Sequence, residues 1–326
     1  MPTHRERLET CLSNQRPDRT PVALWRHFPV DDQIPHRLAR ATLIFQETFD
    51  FDLVKISPAS SFCIKDWGVE DQWNGACEGT RDYTKNVIQN PDDWERLSVL
   101  NVQQGYLGAQ LECIRILVKE LEPDTPVIQT IFSPLSQAKN LVGKEELQVH
   151  LRKYPQAVQA GLKVITETTR NFVQAAHEIG VSGIFYAVQH AQYGLLNESE
   201  FEVFGSQYDK QVLEAASDLW LNMAHLHGKQ VMYKQIAEYP VQILNWHDRE
   251  TSPSLSEGQQ LFDGVVCGGL SRQETIVLGT PESVTEEANQ AIEATQGIRF
   301  ILGTGCVVPT VAPYGNILAA RQSVGA

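Results

Sequence analysis

Residues 157–190 read AVQAGLKVITETTRNFVQAAHEIGVSGIFYAVQH, a stretch whose period changes once. From Ala157 to Ile179 apolar residues recur at helical spacing, Gly180 stops the helix, and Gly183–Ala187 is a short apolar run of strand type. A helix that ends on glycine and passes within a few residues into an apolar strand, itself closed by Gln189-His190, is one αβ unit. The same alternation continues on both sides. Further strand-type runs lie at Val22–Trp25, Leu53–Ile56, Val127–Phe132, Trp220–His227, Val241–Asn245, Gly264–Val266 and Phe300–Leu302. Helical spacing returns in Leu107–Leu121, Phe201–Ala216 and Val284–Ala294, the last preceded by Thr280-Pro281-Glu282, an N-cap, a first-turn proline and an acid that suits the helix dipole.

Apolar strands alternating with helices predict a parallel sheet covered on its faces, and about eight such units close into a barrel. The expected fold is therefore α/β, a single (β/α)8 TIM-type barrel over residues 1–326, with an N-terminal helical extension in MPTHRERLETCL. An open doubly wound sheet is the other arrangement. No Ser/Gly/Pro linker, low-complexity block or strong repeat divides the chain.

Composition narrows the function classes. The chain has 326 residues, 27 Lys+Arg against 40 Asp+Glu, and a net charge of −13, which disfavours nucleic-acid binding by a broad basic surface. No apolar run has the length of a membrane helix, and the charged start is unlike a secretory signal. Six cysteines without C-x-x-C or dense spacing point to reduced thiols and a cytoplasmic setting. No G-x-x-x-x-G-K-[ST] or G-x-G-x-x-G is present, so no nucleotide-phosphate loop is expected.

In a barrel, reactive side chains belong at the C-terminal ends of strands. His225-Leu226-His227-Gly228 ends one such run, and residues i and i+2 of an extended segment face the same side. Seventy-nine residues after His227, Cys306 follows the last strand in Gly303-Thr304-Gly305-Cys306. The last and middle strands face one another across a barrel mouth, so His225, His227 and Cys306 can converge there. Two imidazoles and a thiolate suit zinc and leave a fourth position for water or substrate. Two ordinary strand-end histidines and a buried cysteine are the alternative reading.

Arg19-Thr20-Pro21-Val22 after the opening helix, Ser133-Pro134-Leu135 after the third strand, and Gly303-Thr304-Gly305-Cys306-Val307-Val308-Pro309-Thr310 with Pro313 and Asn316 carry a family likeness. Through them essentially the whole chain resembles the uroporphyrinogen decarboxylase superfamily, which implies a (β/α)8 barrel. Of its two branches, the corrinoid methyltransferases bind zinc through H-x-C-G and a later Cys in a G-x-G-C-x-x-P type segment. Here His225 and Cys306 match and His227 replaces the first Cys, which keeps a ligand but lowers the negative charge on the metal. That branch implies a zinc-dependent methyltransferase working between a corrinoid, brought by a separate protein, and a thiol or folate-type acceptor. Barrels of the superfamily are often homodimers.

The decarboxylase branch carries Arg-Gln-Ala-Gly-Arg after the first strand, an Asp after the second and Gly-His-Gly near the end. This chain has Arg26-His27-Phe28-Pro29, Ser57-Pro58-Ala59-Ser60 and Thr304 at those places. The departures argue against porphyrinogen, although decarboxylation of a tetrapyrrole or other polycarboxylate stays as an alternative. A non-catalytic binder of a metal or corrinoid is another.

Other strand-end residues complete the expected site. Trp25 offers an apolar wall and Arg26 a carboxylate clamp. Asn245-Trp246-His247-Asp248-Arg249-Glu250 reads either as a substrate-contact loop, with His247 as general acid or base and Asn245 and Arg249 orienting substrate, or as a salt-bridged connector. Tyr186 and His190 reach substrate or sit buried. Lys55 is an isolated charge inside a strand run, tolerable in a polar lumen or towards solvent. Cys267, before Gly268-Gly269, reads as a small buried side chain.

Overall fold

The computed structural model describes residues 1–325. Its frame is a curled parallel sheet of seven strands, in the order β1 (Val54–Ile56), β4 (Val127–Phe132), β5 (Gly183–Val188), β6 (Met223–Leu226), β7 (Ile243–Trp246), β8 (Val265–Leu270) and β9 (Phe300–Thr304). Neighbours in this order pair in parallel, and helices intervene along the chain between most of them. Every residue of these strands is buried, as expected for a sheet covered on both faces. The helix over Pro155–Ile179 shows why the pattern forms. Pro155 opens it, and Val158, Leu162, Ile165, Phe172, Val173 and Ala176 form its buried stripe. Gly180, at φ 108°, ends it in the left-handed region that glycine adopts at little cost.

The expected first strand, Val22–Trp25, does not form a ladder. It makes one parallel bridge, Val22 to Leu302, with Ala23 N–H donating to Leu302 and Leu302 N–H to Pro21. On its other side the Asp52 N–H donates to Val22. The segment thus lies between the two edge strands but is held by isolated hydrogen bonds, and an eighth strand is not formed as such.

A two-stranded antiparallel hairpin, β2 (Glu70–Gln72) and β3 (Asp82–Lys85), stands apart from the main sheet. Its polar residues carry no apolar alternation, so it was invisible to pattern reading. The run expected as one helix over 201–216 is split by a π-helical stretch, Glu202–Ser206. The N-terminal helix is present over His4–Leu12, closed by a Thr3/Glu6 capping box. Among the described residues, no helix is long and apolar enough to cross a membrane.

Strand register positions the site. His225 on β6 pairs with Asn245 on β7, which pairs with Cys267 on β8, so one row of side chains crosses three strands near their C-terminal ends.

Candidate metal centre and its cavity

His225, His227, His247 and Cys306 each offer one ligand atom, and the four atoms lie within 4.8 Å of one another. His225 is in β6 and His227 just past it, Cys306 follows β9, and His247 follows β7. Gly305 makes the approach of the last two segments tolerable, since a Cβ there would sit 2.7 Å from the His247 Cα.

The protonation of His225 follows from its neighbour. Asn245 Nδ2 donates to the carbonyls of Cys267 (2.9 Å) and Thr304 (3.0 Å), so its Oδ1 must accept, and it lies 2.6 Å from His225 Nδ1. The His225 proton is therefore on Nδ1, leaving the Nε2 lone pair free for the cluster. Such outer partners fix ring orientation and raise ligand basicity. Replacing Asn245 by Ala is expected to weaken metal affinity about 10–100-fold, measured by competition with a chromogenic chelator.

Electrostatics favour a deprotonated sulfur. Burial alone would raise the Cys306 thiol, but the three imidazoles grouped around it, His225 first, hold it well below its ordinary range. Its Sγ is 3.9 Å from His227 Nδ1. For His247, burial lowers the imidazole but the neighbouring Cys306 sulfur outweighs it and raises it. For His225, burial wins and lowers the ring despite Cys306. His247 Nδ1 lies 3.4 Å from Glu250, while its Nε2 is buried without a hydrogen-bond partner. An orphaned imidazole nitrogen beside two more imidazoles and a thiolate is the donor chemistry of a borderline metal such as zinc, and the residues fit one.

His225, His227 and Cys306 line a cavity of about 250 Å³, together with Trp25, Lys55, Phe132 and Phe185. Phe185 stacks on His225 at 5.2 Å and meets Trp25 edge-on at 5.3 Å. The hairpin contributes Glu78, Thr80, Arg81 and Tyr83 to the wall.

The remaining expected residues sit elsewhere. Tyr186 points away from the cavity because its neighbours Phe185 and Ala187 face inward and side chains alternate along a strand. Its hydroxyl donates to the buried Asp209 at 2.7 Å. Asn245 serves His225 and two carbonyls rather than the cavity wall. Arg26 lies outside the wall with its guanidinium over Phe28 at 5.6 Å, and Arg249 donates to the Gly269 carbonyl and pairs with Glu287. His190 is buried off the wall, and burial together with the Lys139 charge lowers it to about 3. Cys267 is buried, with its thiol raised by burial, and lies outside the ligand group.

The sequence profile of the family described as Uroporphyrinogen decarboxylase (URO-D) matches residues 3–326. The chain belongs to the URO-D family. Similar relatives include the methylcobamide:CoM methyltransferase MtbA of Methanosarcina mazei, 22% identical over 97% of this chain and 95% of that protein. MtbA of Methanosarcina acetivorans is 23% identical over 72% of this chain and 68% of its own length. Among solved structures, a methyltransferase from Methanosarcina mazei superposes with a TM-score of 0.85 at 20% identity, covering 98% of each chain. A B12-independent methionine synthase from Shewanella reaches 0.56 at 14% identity, over 94% of this chain and 92% of that one. At these identities the structural likenesses speak for the fold.

The wall residues of this URO-D family member that escaped the site expected from sequence include His27 and Lys55. His27 sits next to Arg26 and lines the cavity, where burial first, and then the Lys55 charge, lower it to about 4. Lys55 also faces the cavity, 7% exposed, and burial lowers its ammonium to about 7 against the opposing pull of Cys306. An isolated charge in an apolar strand was the available signal for Lys55. Nothing in the spacing singled out the hairpin residues.

Proposed function

We propose that this chain is a zinc-dependent methyltransferase that moves a methyl group between a corrinoid and a thiol or folate-type acceptor. The observation that carries this reading is the His225/His227/His247/Cys306 group at strand ends, three of whose members, His225, His227 and Cys306, line a small-molecule cavity, in a family whose similar members are named methylcobamide:CoM methyltransferases. His225, His227 and Cys306 would hold the zinc, with His247 at hand as a fourth ligand or as an acid–base group. Bound there, zinc would supply a Lewis acid that increases the acidity of a thiol acceptor.

The protein's own residues prepare the rest. Three imidazoles around Cys306 favour its anionic form. Asn245 locks the His225 tautomer, and Phe185 and Trp25 set an apolar wall beside it. An acceptor thiol held there would pass its proton to a nearby base, for which His247 is placed, and would then take the methyl group in line, a corrinoid supplying that methyl group as co-substrate and keeping the electron pair of the broken bond. A separate protein would bring that corrinoid. In this reading residues 1–326 form one catalytic unit, and the Val22–Trp25 segment acts as the eighth stave that closes the barrel.

Protein purified without chelators is expected to carry about one zinc per chain by plasma mass spectrometry and to demethylate methylcobalamin in the presence of a thiol or tetrahydrofolate. A chain with no zinc and no methyl transfer to either acceptor would overturn the reading.

A further inference from the structure

The loop of the β2–β3 hairpin closes part of the cavity, and one of its ties runs on to the ligand group. Residues 73–81 supply Glu78, Thr80 and Arg81 to the cavity wall. Thr80 is the exposed member of that wall, so this strap stands between the cavity and solvent. Three separate segments hold it there. A Cβ on Gly79 would lie 2.5 Å from the His27 Cβ, and the Thr310 N–H, in the loop after β9, donates to the Cys77 carbonyl at 2.6 Å. Arg272, in the loop after β8, donates to the Glu78 carboxylate.

Arg272 does not stop at the strap. Its Nε donates to Glu250 Oε1 at 3.0 Å, and the other oxygen of Glu250 lies 3.4 Å from His247 Nδ1. One guanidinium, 11% exposed, thus joins a carboxylate 194 residues away in sequence to the carboxylate that faces His247. His225 offers the contrast. Its ring is held by Asn245, which is anchored on the Cys267 and Thr304 carbonyls of the sheet. The carboxylate beside His247 is anchored instead on a side chain whose other half belongs to the strap. A guanidinium shared by two carboxylates is fixed in place, whereas one left with Glu250, itself 36% exposed, regains its side-chain freedom.

We infer that Arg272 is a positioning residue, which holds Glu250 against His247 only while the 73–81 strap is seated, so that closing the cavity and orienting this imidazole are one event. The inference rests on the proposed methyl transfer only for what His247 then does, which is to take the acceptor proton.

The test reads the two ends of the link separately in metal-free full chain. Thr310 reports the strap, because its amide is bonded to it. Amide exchange there is expected to quicken about tenfold in Arg272→Met, the low end for a charge-assisted bond that is partly exposed. His247 reports the other end through its ring signal in carbon-13 histidine-labelled protein, assigned with His247→Gln. That signal should move in Glu78→Gln, and move more than the signal of His225. In zinc-loaded protein Arg272→Met should lower kcat about 10–100-fold and affect KM for the thiol less, with Arg272→Lys restoring part of the rate. Glu78→Gln keeps the size of the side chain, so the test does not depend on the folding of Arg272→Met. An unmoved His247 signal in Glu78→Gln would overturn the inference, as would unchanged Thr310 exchange in a folded Arg272→Met. Native protein that transfers no methyl group while both ends respond keeps the link and removes the methyl-transfer reading. Methyl transfer with kcat unchanged in Arg272→Met does the reverse.

Discussion

Cys306→Ala protein is expected to leave purification with less than about a tenth of a zinc per chain, against about one for the native protein, and to lose methyl transfer by about a thousandfold or more. The reasoning starts from charge. Of the four grouped side chains, Cys306 alone becomes anionic on losing its proton, and all three imidazoles are arranged around it. Its removal leaves three neutral donors, one with its ring fixed by Asn245 and one leaning on Glu250. Such a set can still take a divalent ion weakly, so zinc affinity is the primary readout and activity the second. Far-ultraviolet circular dichroism identical to native would show that the loss is local, as a small side chain in a loop after β9 suggests. Full zinc in the variant would remove Cys306 from the ligand set. Zinc loss with undiminished transfer would separate the metal from the chemistry.

How much of this site was legible can be traced residue by residue. His225 and His227 were readable because period-two geometry at a strand end aims both side chains alike, and a glycine directly after them marks the turn. Cys306 was readable only through the expected barrel, since nothing local links it to positions 225 and 227. His247 stands out in the sequence by its polar loop, which suits an acid–base group. Its place in the four-residue group depends on the β6–β7 register, which sequence spacing does not specify. Arg26, Tyr186 and Arg249 show the converse limit. A polar residue near a strand end has a definite location but not a definite direction, and Tyr186 falls on the outer face because Phe185 and Ala187 take the inner one.

The fold divides in the same way. Strands β4, β5 and β9 were visible because they are apolar runs bounded by glycine, proline or polar residues. Val22–Trp25 has strand composition yet makes one bridge, because pairing depends on the edges offered to it and not on its own sequence. The β2–β3 hairpin lacks a buried face and therefore lacks the alternation that would betray it. Its wall residues, including Arg81 and Tyr83, were lost with it.

The second large effect is on stability. Asp52→Asn is expected to lower the unfolding free energy by about 3–5 kcal/mol, the range for removing one partner of a buried ion pair. The Asp52 carboxylate is fully buried and accepts five hydrogen bonds. Arg7 (2.7 Å), His4 (3.0 Å) and Arg19 (3.1 Å) reach one oxygen, and Arg19 (2.7 Å) and the Val22 N–H (2.8 Å) the other. It therefore ties the N-terminal helix, the segment that bridges the two sheet edges, and the lead-in to β1. Burial alone would raise the carboxyl, but the His4 bond and the Arg19 charge and bonds outweigh it and lower it to about 2. A group depressed on folding contributes stability that is complete above its unfolded value, about 3.9, and is lost as pH falls through the folded value. Native protein should accordingly lose about 2–3 kcal/mol between pH 5 and pH 1 through this carboxylate, and the Asn variant should not show that component. In the variant Arg7 keeps Asp18, whereas Arg19 is left buried without an acid, which is why the cost exceeds that of a lost hydrogen bond. The hub lies at the N-terminal end of β1, while the ligand group lies at the C-terminal ends of β6, β7 and β9. Zinc content at low temperature should thus survive while the thermal midpoint falls by about 6–10 °C. An unchanged midpoint would mean that the water released to the asparagine and to Arg19 compensates the charge. Loss of zinc in step with stability would mean that the two ends of the sheet are coupled.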